Sequence, residues 1–181
     1  FRSDRIGKKV MEVLSDKARA GVEVLFTFDA AGSMKLDKKA IQDMKDAGVN
    51  VQPFLPLKYG FFNQKLNFRN HRKIIIIDGK VGFVGGLNVG DEYLGKNKEI
   101  GFWRDTHLKV EGEAVYTLHT VFLLDWEYVS GEDVLTERPQ LKQTDKKGDG
   151  AVQVVASGPD TQQGIMSDFY YGLFSCATKS I

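Results

Sequence analysis

The sequence has a single cysteine, Cys176, so it cannot close an internal disulfide. The residue sits in an apolar stretch, which reads as a buried, inert thiol, and a reducing compartment fits. There is no excess of one charge. Lys and Arg total 25 against 24 Asp and Glu, so no global field draws the chain to nucleic acid or to an anionic membrane, and any attraction must be local. No apolar run reaches the roughly 18–20 residues that span a bilayer. The opening FRSDRIGKK lacks the apolar region of a signal peptide. Gly82, Gly85, Gly86 and Gly90 form neither a dinucleotide fingerprint nor a P-loop, and no Cys/His spacing suggests zinc.

What is present is ordinary for a soluble globular chain. With 42% apolar and 27% charged residues over 181 positions, a real core can form, and disordered or collagenous classes are excluded. The chain opens on Phe1, and CATKSI at its end follows a helical pattern without a stop signal, so we read it as a fragment cut at both ends.

The apolar spacing alternates between two periods. Ile6, Val10, Val13, Leu14 and Ala18 predict a helix over 4–20, stopped by Gly21 and followed by a strand over 22–28. The unit repeats as a helix over 36–47, Gly48, and a strand over 49–54, so that GVEV and GVNV mark equivalent positions. The run KIIIID over 73–78 is apolar on both faces and predicts an interior, central strand. Turn residues at Asp78-Gly79-Lys80 lead into a second strand over 81–85, giving a tight hairpin. A short strand over 106–111, a long helix over 113–129 and a polar linker over 131–150 follow. A strand over 151–156 and a helix over 161–178 then open a second module. The expectation is an α/β fold, a mixed sheet flanked by helices, with one module over 1–145 and the truncated start of another over 146–181.

The chemistry concentrates in HRKIIIIDGKVGFVGGLN. On one strand, His71 and Lys73 share a face and Asp78 takes the opposite parity. A turn at Gly79-Lys80 sets Asn88 across from His71 and Gly86 across from Lys73, and a turn at Asp78-Gly79 keeps the parity. Imidazole, ammonium and carboxamide then converge beside a glycine that lets a tetrahedral group approach the backbone, a patch suited to phosphate. His71 can attack phosphorus, Lys73 brings a point charge and Asn88 donates an N–H. Such preorganised donors stabilise a phosphoryl-transfer transition state without a metal or cofactor. A leaving alkoxide also needs a proton, a contribution of about 10²–10⁴ in rate, and no second matching histidine is present.

The pattern His71-x-Lys73-x4-Asp78-x6-Gly85-Gly86-x-Asn88 resembles the HKD motif of the phospholipase D superfamily. The family usually has Ser where this chain has Gly86, which removes a hydroxyl donor, although GGxN is familiar in the first of two motifs in cardiolipin synthases. RNHRK over 69–73, NVGDEYLG over 88–95, WRDTH over 103–107 and SGPD over 157–160 narrow the likeness to bacterial cardiolipin synthases, and it spans nearly the whole chain. The resemblance implies transfer of a phosphatidyl group between two phosphatidylglycerols through a phosphohistidine. It further implies a site at the membrane surface on the cytoplasmic face, without nucleic acid, and a second HKD half supplied downstream or by a second copy of the chain. It implies Asp105 as acidic partner of the nucleophilic imidazole, with Glu99 as fallback, and Arg69, Arg104, Gly85 and Gly86 on the substrate side. Asp78 is expected to support the hairpin or the interface between halves. The rival readings are a phosphodiesterase or nuclease of the same superfamily and a non-catalytic interaction module that retains the motif residues.

Weaker signals have plainer readings. His107-Leu108-Lys109 also reads HxK but has Ala114 where the motif needs Asp, so it is assigned to structure. His119 lies in an apolar helix and reads as packing. Arg72, out of phase with the His/Lys face, reads as a solvated basic edge. The segment YGFFNQKLNF over 59–68 mixes aromatics and cations, suiting either a lipid–water interface or ordinary packing.

Overall fold

The computed structural model describes residues 1–55, 69–96, 98–134, 148, 150–158 and 164–181. The aromatic segment over 59–68 lies wholly outside them, and most of the expected linker does as well.

Helix α1 (Arg5–Arg19) starts where Asp4 accepts a hydrogen bond from the Gly7 N–H at 3.0 Å, satisfying one of the open donors of the first turn. Helix α2 (Lys38–Asp46) is capped in the same way by Asp37. Each is followed by a glycine with positive φ, 86° at Gly21 and 94° at Gly48, which turns the chain back toward a strand at no Cβ cost. Strands β1 (Leu25–Asp29) and β2 (Asn50–Phe54) pair in parallel, with Leu25 opposite Asn50. The expected repeat is therefore a repeated helix–strand unit. Met11, Val24, Met44, Val49 and Val51 close the core beneath the two helices, each buried side chain of this size contributing roughly 1.5–3 kcal/mol.

A second sheet is antiparallel, in the order β3 (Ile74–Ile77), β4 (Val81–Gly85), β5 (His107–Glu111). Helix α3 (Ala114–Ser130) lies on one face and packs Val115 and Leu118 against Ile76, Val84 and Val110. Its other half buries Leu123 and Trp126 with Val134 against Leu25 of β1, so one helix ties the two sheets together.

The α/β class holds, with parallel and antiparallel pairings distributed over two sheets. Three local expectations are corrected. Among the described residues the KIIIID run pairs on one side only, with β4, and Ile75 and Ile77 are exposed on the face opposite α3. Residues 151–156 form no strand; Val154 packs against the α3 cluster from outside any regular element. Cys176 is exposed, at the end of helix α4 (Ile165–Ser175), which buries none of its residues. His119 is half-buried in α3, as its packing role requires.

Candidate functional site

The β3–β4 turn takes in three residues, Asp78, Gly79 and Lys80, closed by a 2.9 Å bond from the Lys80 N–H to the Ile77 carbonyl. Asp78 and Gly79 both have positive φ, 53° and 64°. Ile74 consequently stands opposite Val84, one residue away from both expected registers. The cross-strand pairing of His71 with Asn88 and Lys73 with Gly86 is therefore not made. The ladder stops at Ile74, and His71 and Lys73 lie in chain that enters β3, while Gly86 and Asn88 lie in chain that leaves β4 at the same end of the hairpin.

His71 and Lys73 are nonetheless together. The Lys73 ammonium donates to the His71 carbonyl at 2.6 Å and lies 3.5 Å from Nδ1 of the ring. Burial pushes the Lys73 pKa below its ordinary value, and Asp105 and Asp29 oppose that shift through their charge. Asp105 reaches this cluster from the segment before β5. Its Oδ1 accepts from the Thr106 N–H at 2.7 Å and its Oδ2 from Trp103 Nε1 at 3.3 Å. Among the described residues no hydrogen bond joins Asp105 to the His71 ring.

The two glycines have neighbours that explain them. A Cβ on Gly85 would stand 2.4 Å from Nδ1 of His107, its partner on β5, and one on Gly86 would stand 2.5 Å from Asp105 Oδ1. Space beside Gly86 is thus taken by a carboxylate of this chain. His107 is exposed on β5 and fills the space beside Gly85. Asn88 donates to the Tyr93 hydroxyl at 3.0 Å, and the Tyr93 ring meets Trp103 edge-on at 4.9 Å, so Asn88 joins the Asp105 side of the site through two aromatic side chains. Arg104 is exposed.

Two carboxylates escaped the sequence reading. Asp29, the last residue of β1, accepts from Arg69 Nη2 at 2.7 Å and Nε at 3.1 Å, and from the backbone N–H of Gly32 and Asn70. Burial works against its charge, but these donors outweigh it and hold its pKa below the usual carboxylate range. Asp125 on α3 accepts from Asn70 Nδ2 at 2.9 Å and from Arg72 Nη1. Arg72 is thus exposed, as expected of a solvated edge, and is also paired with a carboxylate. The signals for both were present: an acid at the carboxyl end of a strand, and an acid inside the apolar run FLLDWEYV.

Comparison with known proteins gives a consistent result. Residues 4–126 match the family model described as cardiolipin synthase, PLD-like domain. The chain is similar to a probable cardiolipin synthase, YwiE, of Bacillus subtilis, at 59% identity over 181 residues, all of this chain and 36% of that protein. It is similar to cardiolipin synthases of Halalkalibacterium halodurans, at 53% identity, and of a Geobacillus species, at 50%, each over 99% of this chain and 36% of the relative. The chain therefore spans about a third of the length of these relatives. No solved structure matches it.

Proposed function

Because the chain belongs to the family of cardiolipin synthase PLD-like domains, we propose that it supplies one half of a phosphatidyltransferase site that condenses two phosphatidylglycerols to cardiolipin and glycerol. The observation that carries the reading is the Lys73 ammonium held beside His71 at the open end of the hairpin. That is an anion-binding charge next to a nucleophile.

In the proposed reaction, Nε2 of His71 attacks phosphorus and the phosphorus–oxygen bond to glycerol breaks, the departing alkoxide taking a proton. The hydroxyl of a second phosphatidylglycerol gives up its proton and attacks the phosphohistidine, which forms cardiolipin and restores His71. Lys73 balances the charge on the phosphate oxygens and Asn88 supplies an N–H to one of them. Asp105 accepts the Nδ1–H of His71, in exchange for its 3.3 Å bond from Trp103. Asp78 supports the turn, and Arg69, Arg104, Gly85 and Gly86 border the substrate. The acid for the leaving group is assigned to a second HKD half, in the remaining length of the protein or in a second copy of the chain, so this chain alone is expected to be inactive or very weak unless two copies pair.

The substrate places the site at a membrane surface, proposed as the cytoplasmic face. Among the described residues no helix is long and apolar enough to cross a membrane. The test is to incubate the full-length protein with phosphatidylglycerol and assay cardiolipin, with His71→Ala as control. Loss of product and of a trapped phosphohistidine in the variant is expected, whereas wild-type-like product overturns the assignment. Cleavage of single-stranded DNA in place of lipid transfer would support the nuclease reading.

A further inference from the structure

The segment that carries His71 is held from two sides. On one side, Asp29 binds the Arg69 guanidinium and the Asn70 N–H. On the other, Asp125 binds the Asn70 side chain with one oxygen and Arg72 with the other. The carboxamide oxygen of Asn70 accepts the Arg72 N–H at 2.9 Å, so the residues on both sides of His71 are tied to each other as well as to α3. Arg72 extends the arrangement, its Nη2 donating to the Ser157 carbonyl at 3.2 Å.

Asp125 is well placed to fix a position. It stands next to Trp126, which is fully buried, on the helix that joins the two sheets. Its side chain is 13% exposed and that of Arg72 29%, so water competes only partly for the pair. His71, by contrast, is exposed and has no carboxylate of its own among the described hydrogen bonds. The Lys73 ammonium meets its carbonyl and its ring, and the residues on either side of it are held by Asp29 and Asp125.

We propose that Asp125 is a positioning residue for His71, acting through Asn70 and Arg72. The proposal rests on the reading of His71 as nucleophile. A nucleophile must meet phosphorus in line, and a displacement of about 1 Å can cost about 10²-fold in rate. Removing Asp125 takes the anchor on α3 from both neighbours at once, leaving Asn70 its bond to Asp29 and Arg72 its bond to Ser157. The loss should fall on kcat, because Asp125 touches no substrate and the charge that holds the phosphate, Lys73, is outside this cluster.

The experiment uses the full-length protein with phosphatidylglycerol. Asp125→Ala is expected to lower kcat by about 10- to 100-fold with KM changed less than threefold, in a protein that still gives its phosphohistidine at residue 71. Asp125→Asn keeps an acceptor for Asn70 but loses the charge toward Arg72, and is expected to recover part of the rate. Asn70→Ala and Arg72→Ala should each lower kcat, and the double variant should lose less than the product of the two single losses, since both act through one carboxylate. If Asp125→Ala does not fold, the asparagine variant and the two partner variants carry the test. Wild-type kcat in Asp125→Asn together with Asn70→Ala and Arg72→Ala, in a protein that His71→Ala inactivates, overturns the positioning role alone. Full activity in His71→Ala overturns the reading beneath it.

Discussion

Asp105 fills the space that a side chain on Gly86 would need: a Cβ there would lie 2.5 Å from Oδ1 and 2.9 Å from Oδ2. From this position the carboxylate favours the charged form of Lys73, whose pKa is otherwise lowered by burial. The sign of its removal follows. Without Asp105 the Lys73 pKa falls further, so activity that needs the ammonium is lost at lower pH. Asp105→Asn is expected to move the alkaline limb of kcat/KM downward, and Gly86→Ala, which pushes the carboxylate aside, should move it the same way by less. The check is a pH–rate profile of the full-length protein, and an unmoved limb in Asp105→Asn would contradict the coupling.

The Asp29–Arg69 pair makes a prediction about acid. The Asp29 pKa is depressed in the fold, because hydrogen bonds from Arg69, Gly32 and Asn70 outweigh its burial. A depressed carboxylate contributes stability above its unfolded pKa of about 3.9, and that contribution disappears as pH falls through the folded value. Arg69 is 39% exposed at its side chain, so solvent screening limits the pair. Arg69→Ala is expected to cost about 1–2 kcal/mol at pH 7, and the gap from wild type should narrow below about pH 4. Urea unfolding at pH 7 and pH 3.5 measures both.

The parts legible in sequence are those set by local rules. Asp4, Asp37, Gly21 and Gly48 mark helix ends through capping and backbone freedom, and the alternation of periods gives the two helix–strand units. Register was not legible. A two-residue turn and the observed three-residue turn both fit Asp78-Gly79-Lys80, and the difference of one residue changes every cross-strand partner. Nor could composition tell an interior strand from an edge strand at KIIIID, since that depends on what covers the sheet. The motif residues are read from their spacing, and Asp29 and Asp125 stand out as acids at a strand end and inside an apolar helix, but which residues they hold, 41 and 55 positions away, no local pattern encodes.

The turn itself separates structural from chemical roles for Asp78. At φ 53° this residue occupies a conformation that most side chains adopt at a cost of about 1–2 kcal/mol, and Asp tolerates it better than β-branched residues do. Asp78→Gly should therefore preserve stability to within about 0.5 kcal/mol, while Asp78→Val should lose about 1–2 kcal/mol. Thermal unfolding of the two variants checks the difference. Loss of activity in a stable Asp78→Gly protein would move Asp78 from the turn to the chemistry.

The two-residue period of β3 predicts opposite outcomes for adjacent isoleucines. Ile76 faces α3 and packs with Val84, Val110, Val115 and Leu118, whereas Ile75 and Ile77 are 56% and 48% exposed on the other face, beside Val81 and Phe83. Threonine keeps the branched shape that suits a strand but adds a hydroxyl. At position 76 that hydroxyl enters an apolar contact, so Ile76→Thr should cost about 1–3 kcal/mol. Ile75→Thr and Ile77→Thr should each change stability by less than about 0.5 kcal/mol and reduce self-association of the 181-residue chain, because they interrupt an apolar face at a sheet edge. Urea unfolding and light scattering read the two effects separately, and equal destabilisation at 75 and 76 would mean that the open face is covered in solution.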